Sequence, residues 1–144
     1  MIRIRRCHNM SEIDELQRNA QAERNDYTMP VIYTAGRDWW VAYDQEGRAV
    51  GYAGMRCSGA YGWLSACYVF RAARRQGIQG RFLTVRLRHA RKQGLGTIYT
   101  YTVSDNVVSS RNLCRRGFLP AIPPKRHGGR WQGEKGLSYF ARAK

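Results

Sequence analysis

The sequence feature that most constrains the fold is a turn rich in glycine and arginine at residues 71–80 (RAARRQGIQG). It follows a run of β-forming residues at 63–70 (WLSACYVF) and leads into a helical pattern. A strand that turns directly into a helix aims the unpaired N–H groups of the first helical turn, and the positive end of the helix dipole, at one place. The guanidinium groups of the turn add positive charge there, so the sequence predicts a site for a phosphate group.

This turn and the helix after it resemble the acetyl-CoA-binding core of the GNAT superfamily of N-acetyltransferases. In that family a strand is followed by an Arg/Gln-x-x-Gly-x-Gly/Ala loop and then by a helix. Arg74 and Gly77 match the first two anchors of the loop. Gln79 stands where the second glycine usually lies and Gly80 comes one residue late, so the loop is a variant of the family pattern.

The second half of the family pattern is also present. It consists of a strand, an asparagine and a short helix that ends in Gly-Phe, and residues 97–103, Asn106 and Gly117-Phe118 occur in that order. Two halves in the right order are more specific than a glycine-rich turn alone. The resemblance covers roughly residues 48–120.

The resemblance implies an α/β (α+β) GNAT fold, with a central mixed, mostly antiparallel sheet of about seven strands and about four flanking helices. Two neighbouring strands of such a sheet splay apart and hold acetyl-CoA between them. With 43% hydrophobic residues, the chain is expected to form a single domain over residues 1–144.

Local patterns predict the order of the elements. Trp39 and Trp40 fall in a strand and therefore point to opposite faces, which places one in the core and leaves the other to cover the hairpin or a partner. The predicted elements in chain order are a strand over 2–7, a helix from a Ser11 cap to about Asn25, a hairpin over 38–57, a strand over 63–70, a helix over 78–93, a strand over 97–103, a short helix ending at Arg116 and a closing strand over 137–142.

The resemblance further implies which residues contact the cofactor acetyl-CoA. Backbone groups near the end of the splayed strand are left unpaired for the pantetheine amides, the turn binds the phosphates, and the asparagine with the following helix lies beside the thiol arm. Asn106 has a simpler alternative role as a helix cap. The implied contacts are Tyr68, Val69, Phe70, Arg74, Arg75, Gln76, Gly77, Ile78, Gln79, Gly80, Arg81, Asn106, Ser109 and Asn112.

The usual catalytic groups of the family are missing from this chain. The family commonly has a tyrosine acid four residues before the Gly-Phe, where this sequence has Leu113, and the strand at 63–70 contains no carboxylate base. Tyr101 and Cys67 are the leading substitutes for the catalytic acid or base, although Cys67 could equally be a small buried apolar residue. The alternatives left open are Tyr99, Ser65, Cys114 and His127.

The net charge of +15, from 25 Lys and Arg against 10 Asp and Glu, is the unusual feature of the composition. A CoA molecule carries only about four negative charges, so an acidic protein or a nucleic acid such as tRNA is a reasonable second partner. Solubility alone is the competing explanation. The same charge disfavours a polycationic acceptor. Segments 27–34 and 125–130 are expected near the acceptor site or a partner.

Several classes of protein are disfavoured. No apolar run approaches the roughly 20 residues that span a bilayer, and the start of the chain lacks the apolar region of a signal peptide, so a cytoplasmic location is expected. The four cysteines are scattered and share no ligand spacing with the three histidines. Reduced thiols and no metal are therefore expected.

Three functions, from two different classes, are consistent with these features. The first is an acetyl-CoA-dependent N-acetyltransferase that transfers an acetyl group to an amine of a protein or small molecule. The alternatives are a catalytically weak CoA-binding protein that modulates an acidic protein partner, and an acetyltransferase that acts on aminoacyl-tRNA. The sequence itself names no acceptor and no oligomeric state.

Overall fold

A computed structural model describes residues 1–25, 34–103, 107–121 and 137–143 of the 144-residue chain. A 3₁₀ turn, Arg71–Ala73, joins the fourth strand to the second helix. The elements in chain order are β1 (Arg3–Cys7), α1 (Met10–Arg24), β2 (Asp38–Tyr43), β3 (Ala49–Ser58), β4 (Tyr61–Val69), α2 (Ile78–Lys92), β5 (Thr97–Val103), α3 (Val107–Arg115), β6 (Leu119–Pro120) and β7 (Leu137–Ala143).

The strands form one seven-stranded sheet in the order β1-β2-β3-β4-β5-β7-β6. All neighbours are antiparallel except β4 and β5, which are parallel. This confirms the predicted mixed, mostly antiparallel sheet. In the described ranges three α-helices flank it, one fewer than the approximate number expected from the sequence. No helix in those ranges is long and apolar enough to cross a lipid bilayer.

The cap of the first helix lies two residues before the predicted cap. Asn9, not Ser11, is the cap, because its side-chain oxygen accepts a hydrogen bond from the N–H of Glu12 at 3.3 Å. Ser11 already lies inside the first turn of α1. The helix ends, as predicted, at Asn25, whose left-handed backbone (φ 52°) returns its N–H to Ala22.

Two hydrophobic cores lie on opposite faces of the sheet. Trp39 is fully buried with Ile13 of α1, whereas Trp40 is 7% exposed and packs in the core that contains Phe82 of α2. The opposite orientation of the two tryptophans is confirmed. The expectation that one of them covers the hairpin or a partner is wrong, because both faces of this part of the sheet are covered by helices.

The sheet opens between β4 and β5. Their pairing runs only from Tyr61↔Thr97 to Trp63↔Tyr99, although both strands continue beyond that point. On its other side β4 stays paired to β3, with a register shift between Ala53 and Met55. The partners of these two residues are Cys67 and Leu64, so β4 carries an extra residue there and forms a β-bulge. The predicted splayed strand pair is therefore present.

Candidate functional site

A cavity of about 480 Å³ occupies the gap between β4 and β5. It extends from the strands to the first turn of α2 and to the end of α3. Cavities of this size fall in the range that binds small molecules and cofactors. Its lining residues are Leu64, Ser65, Ala66, Cys67, Gln79, Gly80, Leu83, Arg86, Thr100, Tyr101, Asn112, Leu113, Arg115 and Arg116.

The first turn of α2 forms one end of this cavity. Gly77 caps the helix with a left-handed backbone (φ 71°), and the first helical bond runs from the N–H of Arg81 to the carbonyl of Gly77 at 3.1 Å. The N–H groups of the three residues between them therefore point out of the helix end. Gly80 faces open space, since a Cβ there would meet no protein atom within 4 Å. A phosphate group can thus approach the backbone closely.

The turn before α2 is braced from α1 by Glu23. Its carboxylate accepts a hydrogen bond from the Tyr68 hydroxyl at 2.6 Å and another from the Arg71 N–H at 2.9 Å. Burial opposes its ionisation, but these bonds and the nearby arginines outweigh it and lower the pKa of Glu23. Glu23 is separated from the turn by nearly 50 residues, so nothing in the local sequence indicated this role.

At the end of β4, fewer backbone groups are available to a ligand than the sequence predicted. The N–H of Phe70 donates to the carbonyl of Val50 at 3.0 Å, so it is not available to a ligand. In an antiparallel pair the neighbouring residue Val69 then turns its backbone groups away from β3 and towards the gap. Its carbonyl already accepts a bond from Nε of Arg74 at 3.0 Å. The backbone groups that still face the gap are the N–H of Val69 and the backbone groups of Cys67.

The side chains of the turn before α2 differ in their contacts and in their exposure. Arg74 lies over the ring of Tyr68, 5.4 Å from its centroid, and Arg75 is exposed in a left-handed conformation (φ 67°). Gln76 donates its side-chain amide to the carbonyl of Ala73 at 3.3 Å. The side chain of Ile78 is buried in the core, which leaves it only its backbone N–H as a contact.

Arg81 was predicted to contact the cofactor, but the structure does not bring it to the cavity. Its guanidinium donates to the carbonyl of Ile2 at 3.0 Å, which ties α2 to the start of the chain. Of the downstream candidates, Asn112 lines the cavity and Ser109 lies in α3. Asn106, His127 and the segments 26–33 and 122–136 lie outside the described residues.

Arginines outside the predicted set make the cavity cationic. Arg116 donates to the carbonyl of Gly80 at 3.2 Å and to the hydroxyl of Thr84, which joins the end of α3 to the first turn of α2. Arg115 and Arg86 also line the cavity, and none of the described lining residues carries a carboxylate. Arg86 follows Phe82 by four residues, so helical periodicity was the signal that could have placed it on the inner face of α2.

Both leading catalytic candidates, Tyr101 and Cys67, line the cavity. Burial raises the pKa of the Cys67 thiol, which keeps it protonated at neutral pH. Tyr101 lies within electrostatic reach of Arg37, whose pKa is lowered by burial and by Arg56. The same Arg37 donates its Nε–H to the hydroxyl of Ser65 at 3.2 Å, and Ser65 also lines the cavity.

Two other catalytic alternatives lie outside this lining. Tyr99 stacks on Trp63 with ring centroids 5.4 Å apart, and Cys114 is exposed on α3. Leu113, at the position of the family's usual tyrosine, does face the cavity. An apolar side chain there supplies no proton, so the chemistry depends on other residues.

A second group of polar side chains lies away from the cavity. Nε2 of His89 is 2.8 Å from Oδ2 of Asp38, and Sγ of Cys57 is 3.8 Å from the same oxygen. Arg6 bonds the other oxygen of Asp38 at 2.5 Å and covers Trp40. Although Asp, Cys and His are metal-ligand types, the guanidinium already balances the carboxylate, and we interpret the group as an ion-pair network. The expected absence of a metal stays a prediction.

Comparison with known proteins gives a consistent result. A sequence model of the family described as "Acetyltransferase (GNAT) family" matches residues 4–118. A search of curated proteins found no match. A GNAT-family acetyltransferase from Staphylococcus aureus Mu50 has a similar structure, with a TM-score of 0.78, 16% identity and 99% of each chain covered. The N-acetylglutamate synthase of Neisseria gonorrhoeae, solved with coenzyme A and N-acetyl-glutamate, gives a TM-score of 0.72 and 16% identity over 99% of this chain and 35% of that one. At such identities the solved structures show the shared fold.

Proposed function

The chain belongs to the acetyltransferase (GNAT) family, and on this premise we propose that it is an acetyl-CoA-dependent N-acetyltransferase acting on an amine of a protein or small molecule. The observation that carries the proposal is the cavity between β4 and β5. It combines a gap between two strands, a helix N-terminus and three arginines, Arg86, Arg115 and Arg116, without a carboxylate among the described lining residues.

The residues present fit acetyl-CoA. The first turn of α2 offers backbone N–H groups and the open position at Gly80 for the phosphates, and Arg116 stands beside that turn. Backbone groups of Cys67 and the N–H of Val69 face the gap, where they can pair with the amides of a pantetheine arm. The apolar part of the lining, which includes Leu64 and Leu83, suits the methylene groups of such an arm.

Acetyl-CoA supplies the activated acetyl group, and the protein's part is to orient it, exclude water and handle protons. The neutral thiol of Cys67 is a poor nucleophile, which favours direct transfer to the amine over an acetylated cysteine. Tyr101 is our candidate for the proton donor, because its hydroxyl is the phenolic group in the described lining. Arg37 beside it places positive charge on that side of the gap.

Calorimetric titration with acetyl-CoA and with CoA tests the cofactor site directly. We expect micromolar binding by the folded wild-type protein, followed by release of free thiol when an accepted amine is added. The first amines to try are neutral or anionic, since the +15 charge repels a polycationic acceptor. A folded protein that binds neither form of CoA would refute the proposal.

The predicted second partner, an acidic protein or tRNA, remains a prediction alongside the proposed acetyltransferase activity. Arg88, Arg91 and Lys92 are exposed on α2, and the last two also fit a simple role at the negative end of the helix dipole. Binding of tRNA through such a surface would weaken at least about tenfold between 50 and 200 mM salt. A cytoplasmic location and a single domain over residues 1–144 are part of the same proposal.

A further inference from the structure

Arg86 is a buried cation in the wall of the cavity. Its side chain is 4% exposed, and its hydrogen bonds in the described part of the chain all go to backbone carbonyls. Nε donates to Phe82 at 3.3 Å, and Nη1 donates to Gly54 at 3.2 Å and to Ser65 at 3.4 Å. Burial lowers the pKa of Arg86, but a guanidinium remains protonated in proteins. Among the described residues no carboxylate bonds to Arg86, and a buried charge without an opposite charge is unfavourable, so a functional role for it is worth testing.

The two strand carbonyls that Arg86 binds lie at the β-bulge. The β3–β4 register passes from Ala53↔Cys67 to Met55↔Leu64, which leaves Gly54 opposite the extra residue of β4. A bulge removes carbonyls from the regular ladder, and Arg86 supplies the missing donors for Gly54 and Ser65 from the α2 side. The bulge lies just beyond the last β4–β5 pair, where the strands part.

On the opposite face of the sheet, side-chain packing holds the same bulge in place. A Cβ on Gly54 would lie 2.7 Å from the ring of Trp39, so the tryptophan presses directly on the backbone of β3. Trp39 itself is fully buried. The strand backbone is therefore held between an indole ring on one side and a guanidinium on the other.

Arg86 and the Cys67 thiol line the same cavity. Cys67 lies next to the bulge, and while burial raises the pKa of its thiol, Arg86 works in the opposite direction. The thiol of bound CoA would lie in the same gap under the proposed function. A nearby cation favours the thiolate form of a thiol, which is the form released by acetyl transfer.

We propose that Arg86 is a positioning residue that holds the β4 bulge open to the cofactor and makes this end of the cavity favour a CoA thiolate over a thiol. The proposal rests on CoA binding in the β4–β5 gap. Arg86 would then stabilise the thiolate that leaves during acetyl transfer, a role that the apolar side chain of Leu113 cannot perform.

The first experiment needs no cofactor. Alkylation of Cys67 is followed by mass spectrometry as a function of pH in the wild type, in Arg86→Met and in Arg86→Lys, with the exposed Cys114 as an internal reference. We expect the midpoint for Cys67 to rise in Arg86→Met and to return towards the wild-type value in Arg86→Lys, while the Cys114 profile stays unchanged. Arg88→Met, an exposed change on the same helix, is the control. An unchanged Cys67 midpoint in folded Arg86→Met would overturn the electrostatic role.

The second experiment compares CoA with desulfo-CoA, which lacks the thiol. In the wild type the preference for CoA should grow about tenfold between about pH 6 and pH 9 as the bound thiol ionises. Arg86→Met should lose this growth, and Arg86→Lys should keep part of it. A folded Arg86→Met that retains the full pH-dependent preference refutes the proposal. Failure of the wild type to bind either ligand would instead refute the proposed function, and the Cys67 profile would still decide the effect of Arg86.

Discussion

Replacing Gly80 by glutamate should abolish cofactor binding without harming the fold. Gly80 is the third residue of α2, and a Cβ there meets no protein atom within 4 Å. Glutamate is a better helix former than glycine by about 0.6 kcal/mol, and its charge near a helix N-terminus adds about 0.5 kcal/mol. The variant should therefore be about 1 kcal/mol more stable, which raises Tm by about 3 °C for a chain of this size.

The effect on binding follows from the position of the new carboxylate. It would point into the cavity where the first turn of α2 and Arg116 are available to phosphates. At about 5 Å and an effective dielectric constant of about 20, each phosphate charge is repelled by about 3 kcal/mol. That corresponds to a loss of affinity of about 100-fold or more.

Thermal unfolding and calorimetric titration with CoA measure the two effects on one protein sample. Arg88→Gln is the matched control, because it also lowers the net charge of α2 by one unit but at an exposed position outside the cavity lining. It should bind CoA like the wild type. Wild-type affinity in a folded Gly80→Glu protein, or equal losses in both variants, would show that the phosphates do not lie at this helix end. Gly77→Glu is a less clear test, because Gly77 has a left-handed backbone (φ 71°) and a residue with a side chain is strained in that conformation.

Three further predictions concern catalysis and stability. Tyr101→Phe should slow thiol release about 100-fold while leaving CoA affinity unchanged; retained turnover in a coupled thiol assay would remove Tyr101 as the acid. Glu23→Gln should lower stability at neutral pH by about 1 kcal/mol. Because the pKa of Glu23 is lowered in the folded protein, its contribution is present above its unfolded pKa and disappears as pH falls through the folded value, so denaturant curves of the two proteins should converge in acid. Phe82→Ala, at a fully buried position, should destabilise by about 3–5 kcal/mol in the same assay, and a loss below about 1 kcal/mol would contradict its place in the core.

Much of the fold could be predicted because its signals are local. The turn at residues 71–80, the hairpin over residues 38–57 and the helix end at Asn25 each depend on residues close in the chain, and each is found where the sequence placed it. The cap of α1 was misassigned because Asn9 and Ser11 are both good caps, and only the backbone position of the first turn separates them.

The candidate site depended more on contacts between distant residues. Cys67 and Tyr101 were proposed as substitutes for the family's missing catalytic groups, and Gln79, Gly80 and Asn112 were proposed from motif positions. All five line the cavity. Arg81 was proposed in the same way, but its long side chain reaches the carbonyl of Ile2 instead. A motif fixes where a backbone runs, whereas a flexible side chain takes the partner that the tertiary structure offers.

The sequence by itself determined the strand, the glycine turn and the helix that form the proposed phosphate site, because backbone conformation and helix termini follow from residues close in the chain. Only the tertiary structure decided that Glu23 braces that turn, that Arg86 binds the β-bulge and that Arg115 and Arg116 complete the cationic lining. These groups come from separate elements, so their distances exist only after the sheet and helices have packed. The electrostatic character of the site follows from that packing, since burial and neighbouring charges act through space and leave no local pattern in the sequence.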